Sequence, residues 1–202
     1  MMQPYRKGAE ASLKKTDYLG KPALLKERAP KKYRHQSLDE RIRKERTSLE
    51  ARLISRAKKA GIRTPVIYAI DKERTSITME FIEGTRMKDA LNEGNAKEII
   101  AGFANSVALL HNASIIHGDL TTSNVIIHNK GLAFVDFGLG YISGKADDKA
   151  TDILVFKKTF QATHFSISNG WEIFSGAYMK AAGNGREILA KIPQIEAKTR
   201  YS

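Results

Sequence analysis

An α+β chain is predicted by three observations. Strand-length apolar runs alternate with polar turns up to about residue 82, helical periodicity dominates the remainder, and a turn-rich polar block joins the helical half to a short hairpin. The strand-patterned part covers about 1–82, the mainly helical part about 85–190, and basic residues follow over about 191–202. A length of 202 residues suits one compact unit, and 42% hydrophobic with 28% charged residues is the balance of a folded domain.

In chain order, runs 11–15 and 22–26 read as short strands joined by the polar turn Thr16-Asp17-Tyr18-Leu19-Gly20-Lys21, and Lys26 closes the apolar run Ala23-Leu24-Leu25. A capping-box pattern, Ser37-Leu38-Asp39-Glu40, opens a helix whose apolar Leu49, Leu53, Ile54 and Ala57 recur at helical spacing. Gly61 and Pro65 end it, and Glu50 lies on it. Runs 66–70 and 77–82 form a second hairpin. A helix over 96–112 carries Ile99, Ile100, Phe103, Val107 and Leu110; its uncharged stretch contains Asn105, Ser106, His111 and Asn112 and is a poor membrane span. Runs 125–127 and 132–135 flank His128-Asn129-Lys130-Gly131, the third hairpin.

That hairpin separates two motifs, His117-Gly118-Asp119-Leu120-Thr121-Thr122-Ser123-Asn124 and Asp136-Phe137-Gly138. The order H-x-D-x-x-x-x-N, strand, turn, strand, D-F-G resembles a protein kinase, which sets its catalytic loop beside its metal-binding loop this way. Asp136 and Asn124 offer the hard oxygen ligands that Mg2+ prefers, and Asp119 sits where a carboxylate can orient an attacking hydroxyl or water and accept its proton. The resemblance implies ATP and Mg2+ as cofactors. It makes Lys26 the phosphate lysine, aligned by an ion pair with Glu50. It places Met79 beside the adenine pocket, with backbone groups of Glu80 and Ile82 at the base edge. His117 props the loop, whereas His111, His128 and His164 lack metal-ligand spacing. Asp152 reads either as a brace for the catalytic loop or as an ordinary helix N-terminal carboxylate.

Two features depart from that pattern. The phosphate-covering loop is reduced to Gly8-Ala9-Glu10-Ala11, with Gly8 the sole remnant of G-x-G-x-x-G. Only eight residues separate Gly138 from Asp147, and no A-P-E motif occurs beyond them. A peptide-docking segment is missing, which turns the expectation toward water, or a residue of the protein itself or of its partner, as phosphoryl acceptor.

Composition narrows the classes further. The absence of cysteine excludes disulfides, a thiolate nucleophile and Cys-ligated metal. The first residues lack the apolar core of a secretion signal, so a cytoplasmic location is expected. A formal net charge of +12 favours a polyanionic partner such as RNA.

A narrower resemblance rests on the block Lys26-Glu27-Arg28-Ala29-Pro30-Lys31-Lys32-Tyr33-Arg34-His35-Gln36-Ser37-Leu38-Asp39-Glu40, on Arg46-Thr47 through Glu50-Ala51-Arg52, and on Asp147-Asp148-Lys149-Ala150-Thr151-Asp152. Together with the His117–Asn124 stretch these are similar to the small atypical serine/threonine kinase and ATPase of the KEOPS (EKC) complex. The resemblance implies a bilobed protein-kinase-like fold, with a β-rich N-lobe over about 1–82, a hinge over about 80–84, a reduced, mainly helical C-lobe over about 85–190 and a basic C-terminal tail over about 191–202, working for threonylcarbamoyladenosine formation in tRNA. The partners it implies are the threonylcarbamoyl-transferring catalytic subunit, a small accessory subunit on the N-lobe, and tRNA through the assembled complex, with no membrane. The terminal basic residues, Lys191, Lys198 and Arg200, are sparser than that family's usual cluster, and a disordered terminus is an equal expectation. The rivals are a RIO-like protein kinase, a small-molecule phosphotransferase, or a nucleotide-binding scaffold without turnover.

Overall fold

The computed structural model describes residues 6–7, 11–129 and 131–199. Its N-terminal part is an antiparallel sheet of β1 (Arg6–Lys7), β2 (Ala11–Tyr18), β3 (Lys21–Arg28), β4 (Ile67–Asp71) and β5 (Ser76–Glu80), in the order β1-β2-β3-β5-β4. The β2–β3 register runs from Ala11 opposite Arg28 to Tyr18 opposite Lys21. The connection is therefore a two-residue turn, tighter than the six-residue one expected. Leu19 and Gly20 take φ of 52° and 77°, the paired positive angles that match the twist of a hairpin.

Helix α1 (Gln36–Lys59) crosses this sheet. The capping box does not form: His35 is the N-cap without a side-chain bond, and Ser37 pairs instead with the His35 ring at 3.0 Å. Asp39 is drawn inward to Arg43 Nε at 2.7 Å, and that hydrogen bond holds its carboxyl below the ordinary range. Two faces of α1 are buried. Ala51 packs with Ile77 and Met79 of β5, whereas Leu53, Ile54 and Ala57 join the core of the other lobe. After Ala60 the chain leaves the helix through Gly61 at φ 89°, a left-handed position glycine adopts without steric cost.

The second lobe comprises β6 (Thr85–Arg86), α2 (Met87–Ala90), α3 (Ala96–Asn112), β7 (Ile115–Ile116), a 3-10 turn (Thr122–Asn124), β8 (Val125–His128), β9 (Gly131–Phe134), β10 (Tyr141–Ile142), α4 (Ala146–Thr163), α5 (Gly170–Ala181) and α6 (Gly185–Thr199). Its strands form two small sheets, β6-β8-β9 and β7-β10. The β8–β9 pairing, Val125 opposite Phe134 through His128 opposite Gly131, brings Asn124 and Val135 together at the open end, where the Val135 amide donates to the Asn124 carbonyl at 2.9 Å. The core is aromatic. Phe103 of α3 stacks on Phe134 with centroids 5.6 Å apart and meets Phe156 at 4.8 Å and Phe174 at 5.8 Å. Such pairs add orientation to the large area they bury.

The segment from 191 is not a free basic tail as far as Thr199. It completes α6, which buries Ile188 and Ile192 and crosses α4 through ion pairs from Lys191 to Asp147 and Lys157 to Glu196, both 3.1 Å. No helix among the described residues is long and apolar enough to cross a membrane.

Candidate active site

A cleft opens between the sheet and the second lobe. Leu13, Leu24, Met79, Ile82 and Ile126 give it apolar walls, and Lys26, Glu50, Asn124 and Asp136 line its polar end. An apolar slot ending in convergent polar groups is the usual form of a small-molecule site.

The polar end is built by strand alternation and one helix turn. Lys26 and Arg28 share a face of β3 because residues two apart do so on a pleated strand. Glu50 arrives from α1, 1% exposed. Lys26 Nζ lies 2.5 Å from Glu50 Oε1 and 2.7 Å from Asp136 Oδ1, while Arg28 Nη2 lies 2.6 Å from Glu50 Oε2. Burial alone would lower the Lys26 pKa; the Glu50 and Asp136 carboxylates overcome it and hold the ammonium above its ordinary value. For Asp136 burial pushes upward, and the Lys26 charge and hydrogen bond outweigh it, keeping the carboxylate ionised. Asp136 itself has φ 63°, a left-handed angle uncommon outside glycine, and its side chain is half exposed toward the cleft.

The catalytic loop is held from beneath. Asp152, in the second turn of α4, accepts the backbone amides of His117 at 2.8 Å and Gly118 at 2.9 Å. Of the two readings of this residue, the brace is the one that the geometry matches. His111 Nε2 lies 3.3 Å from the same carboxylate, and its Nδ1 lies 2.7 Å from the Tyr178 hydroxyl. Burial raises Asp152, but the His111 hydrogen bond and charge, with the hydrogen bond from the His117 amide, bring it below the ordinary range. His117 takes the Asp119 amide on Nδ1 at 3.4 Å and donates from Nε2 to the Val135 carbonyl at 3.2 Å, an arrangement that requires the neutral ring. Burial pushes its pKa down accordingly. Gly118, at φ 80°, is where the loop meets the turn after Asp136-Phe137-Gly138: a Cβ there would stand 2.2 Å from the Leu139 carbonyl oxygen.

Asn124 turns its amide nitrogen to the Asp119 carbonyl at 2.9 Å and to Asp119 Oδ2 at 2.8 Å. Two acceptors fix which end of the amide is nitrogen, so its oxygen remains the end that a cation can use. No group of three or more His, Cys, Asp or Glu side chains suited to a metal occurs among the described residues. Asp136 and Asn124, supplemented by phosphate oxygens, nonetheless fit Mg2+, which needs only one or two protein carboxylates when a nucleotide supplies the rest.

The fold thus gathers Lys26, Glu50, Asp119, Asn124 and Asp136 at one end of the cleft, with Glu80 and Ile82 at the other. The Glu80 amide is already taken by the Val66 carbonyl at 2.8 Å. The Glu80 side chain is committed to Arg63 by a two-pronged ion pair. Gly8 and Glu10 lie outside the described residues. Arg28 is an addition that the sequence does not announce: there it stands only as one charge in a basic block, although its spacing of two from Lys26 on a strand is an available signal. Arg86 and Ser123, also unanticipated, line the cleft floor.

A strand-rich lobe with a lysine–glutamate pair, a polar cleft and a helical lobe carrying both motif loops together define a protein-kinase-like fold. The same architecture is found in the Rio2 kinase from Chaetomium thermophilum, solved as an ADP/Mg2+-phosphoaspartate complex, with TM-score 0.68, 16% identity, and coverage of 92% of this chain and 63% of that one. WaaP, solved in complex with acyl carrier protein, is similar at TM-score 0.68 and 15% identity over 100% of this chain and 87% of its own. The RIO domain pattern matches residues 13–149, and the EKC/KEOPS complex subunit bud32 of Dictyostelium discoideum is 34% identical over 203 residues, covering 96% of this chain and 81% of that protein. The chain belongs to the RIO-domain family and, within it, to the group of that KEOPS subunit. It is also 43% identical, over 97% of its length, to the probable bifunctional tRNA threonylcarbamoyladenosine biosynthesis protein of Methanobrevibacter smithii. It spans 36% of that longer relative, and likewise 36% of its counterpart from Methanothermobacter thermautotrophicus, to which it is 39% identical.

Proposed function

We propose that this chain is a magnesium-dependent ATPase and atypical serine/threonine kinase that acts as the kinase subunit of a KEOPS complex in the threonylcarbamoyladenosine modification of tRNA. The observation that carries the reading is Lys26 Nζ suspended between Glu50 and Asp136, 2.5 and 2.7 Å away, at the polar end of a cleft whose other end is apolar. A nucleotide fits that polarity. Its base would lie against Leu24, Met79 and Ile82 with the Glu80 carbonyl and the Ile82 backbone at its edge, and its phosphates would reach Lys26. Asn124 and Asp136 would hold Mg2+, which when bound neutralises charge on the phosphates.

Asp119 orients the acceptor. With Oδ2 occupied by Asn124, its other oxygen is free to take the proton that the acceptor oxygen loses as it bonds to the γ-phosphorus and ADP departs. The turn from Gly138 to α4 is short, and it supports water or a partner's residue as acceptor over a docked peptide. The names of the bud32 and bifunctional relatives support membership of a KEOPS assembly and a part in tRNA threonylcarbamoyladenosine biosynthesis. The proposal adds to this a threonylcarbamoyl-transferring subunit, a small accessory subunit on the N-lobe, tRNA reached through the complex, and a cytoplasmic setting. Asp119→Ala and Asp136→Ala are each expected to lower Mg2+-dependent ATP turnover by about 100-fold or more, measured with and without the partner subunit and tRNA. Turnover undiminished in both variants would exclude the mechanism.

A further inference from the structure

Arg28 is a second buried cation in the cleft wall, and the nucleotide reading gives it no task. It is 5% exposed, and its Nη2 lies 2.6 Å from the Glu50 oxygen that Lys26 leaves open. Among the described residues the cluster therefore holds two cations, Lys26 and Arg28, against two carboxylates, Glu50 and Asp136. With Lys26 alone, a single positive charge would be divided between two acids, one of them almost fully buried, a poorly compensated arrangement. Arg28 is also fixed at its backbone. Its amide donates to the Thr75 carbonyl at 3.2 Å, and its carbonyl accepts from Thr75 Oγ1 at 3.3 Å. Arg43 of α1 donates to the same hydroxyl at 2.8 Å, so α1 is tied at Arg43 and at Glu50 to one end of β3.

The position of Gly138 fits this arrangement. A Cβ there would stand 3.1 Å from Arg28 Nη2, 3.1 Å from Asp136 Oδ1 and 3.4 Å from Lys26 Nζ, so the metal-loop turn closes directly over the cluster.

We propose that Arg28 is a positioning residue that keeps Glu50, and with it α1, seated against β3 whether or not Lys26 is drawn away by phosphate. The inference rests on the phosphate-aligning roles proposed for Lys26 and Glu50. In protein kinases the position of the corresponding helix is a control point, set in part by activation-loop phosphorylation. Here the loop from Gly138 to α4 is too short to carry such a device, and a second, internal cation does the holding.

Two measurements test it. In nucleotide-free protein, amide hydrogen exchange in α1 around Glu50 is expected to accelerate about tenfold in Arg28→Met, with α3 unchanged, and about threefold in Arg28→Lys. Turnover of MgATP is expected to fall about tenfold in Arg28→Met but less than about twofold further when the same change is made in Glu50→Gln, because the two side chains act as one unit. Unaltered α1 exchange, or an equal loss in both backgrounds, would overturn the proposal. Should Arg28→Met not fold, Arg28→Lys decides by the same exchange criterion. Exchange needs no turnover, so an inactive parent chain would count against the proposed activity and leave the role of Arg28 to be judged on α1.

Discussion

The two walls of the cleft are held by different forces. On the sheet side, α1 meets β3 through Lys26, Arg28 and Glu50, side-chain charges that can exchange partners. On the helical side, the loop bearing Asp119 is held by backbone amides bonded to one buried carboxylate, Asp152, within a core of Phe103, Phe134, Phe156 and Phe174. An ion cluster tolerates adjustment as a charged ligand enters. Backbone bonds inside an aromatic core do not, since each lost bond leaves a buried donor unsatisfied. The difference teaches that this chain sets an adaptable ion cluster on one wall of the cleft against a rigidly mounted loop on the other.

Three experiments would break or sharpen that contrast. Asp152→Ala is expected to have the largest effect on stability, about 2–4 kcal/mol, because it strands the amides of His117 and Gly118; denaturant unfolding would measure it, with ATP turnover falling in parallel. Lys26→Met should separate the two properties. Arg28 still pairs with Glu50, and half-exposed Asp136 can turn to water, so the expected stability loss is only about 1–2 kcal/mol while turnover drops about 100-fold. A stability loss as large as that of Asp152→Ala would show that both walls are equally rigid.

The smallest effect expected is a pH slope. His117 and His164 have pKa values pushed down, chiefly by burial, so the unfolded chain binds their protons first as pH falls. Stability is therefore level above the ordinary histidine value of 6.5 and declines below it, toward the lower folded values. Asp136 and Asp152, held low, add a further loss only below 3.8. Melting temperature between pH 8 and 5 would show the decline, and the double variant His117→Gln, His164→Gln should flatten it relative to its own value at pH 8.

Much of the rigid wall is legible in the sequence. The hairpin of β8 and β9, helix α3 and the two motifs are written in local order: apolar periodicity, an Asn/Gly turn, and polar residues at fixed offsets. The adaptable wall is only half legible. Lys26 and Glu50 can be paired by resemblance, but Arg28 declares its partner only when α1 lies across β3, and a charge among many in a basic block carries no local mark of burial. The same limit hides the inward turn of Asp39 and the failure of the Ser37 capping box: Arg43, the partner of Asp39, is a local neighbour four residues on along α1, but Thr75, which holds Arg43, stands just before β5 and is distant in sequence. Helix α6 is a different case. Its basic residues and Pro193 suggest a tail, yet Ile188, Ile192 and Ile195 recur at helical spacing, a signal present in the sequence alone.

The crossing at Gly118 sets the spacing between two loops. There the loop of Asp119 and the turn leaving Gly138 touch backbone to backbone, with no side chain between them to yield. The two are in effect one machined part, and a methyl group added at position 118 would meet backbone atoms alone, with no flexible end to give way.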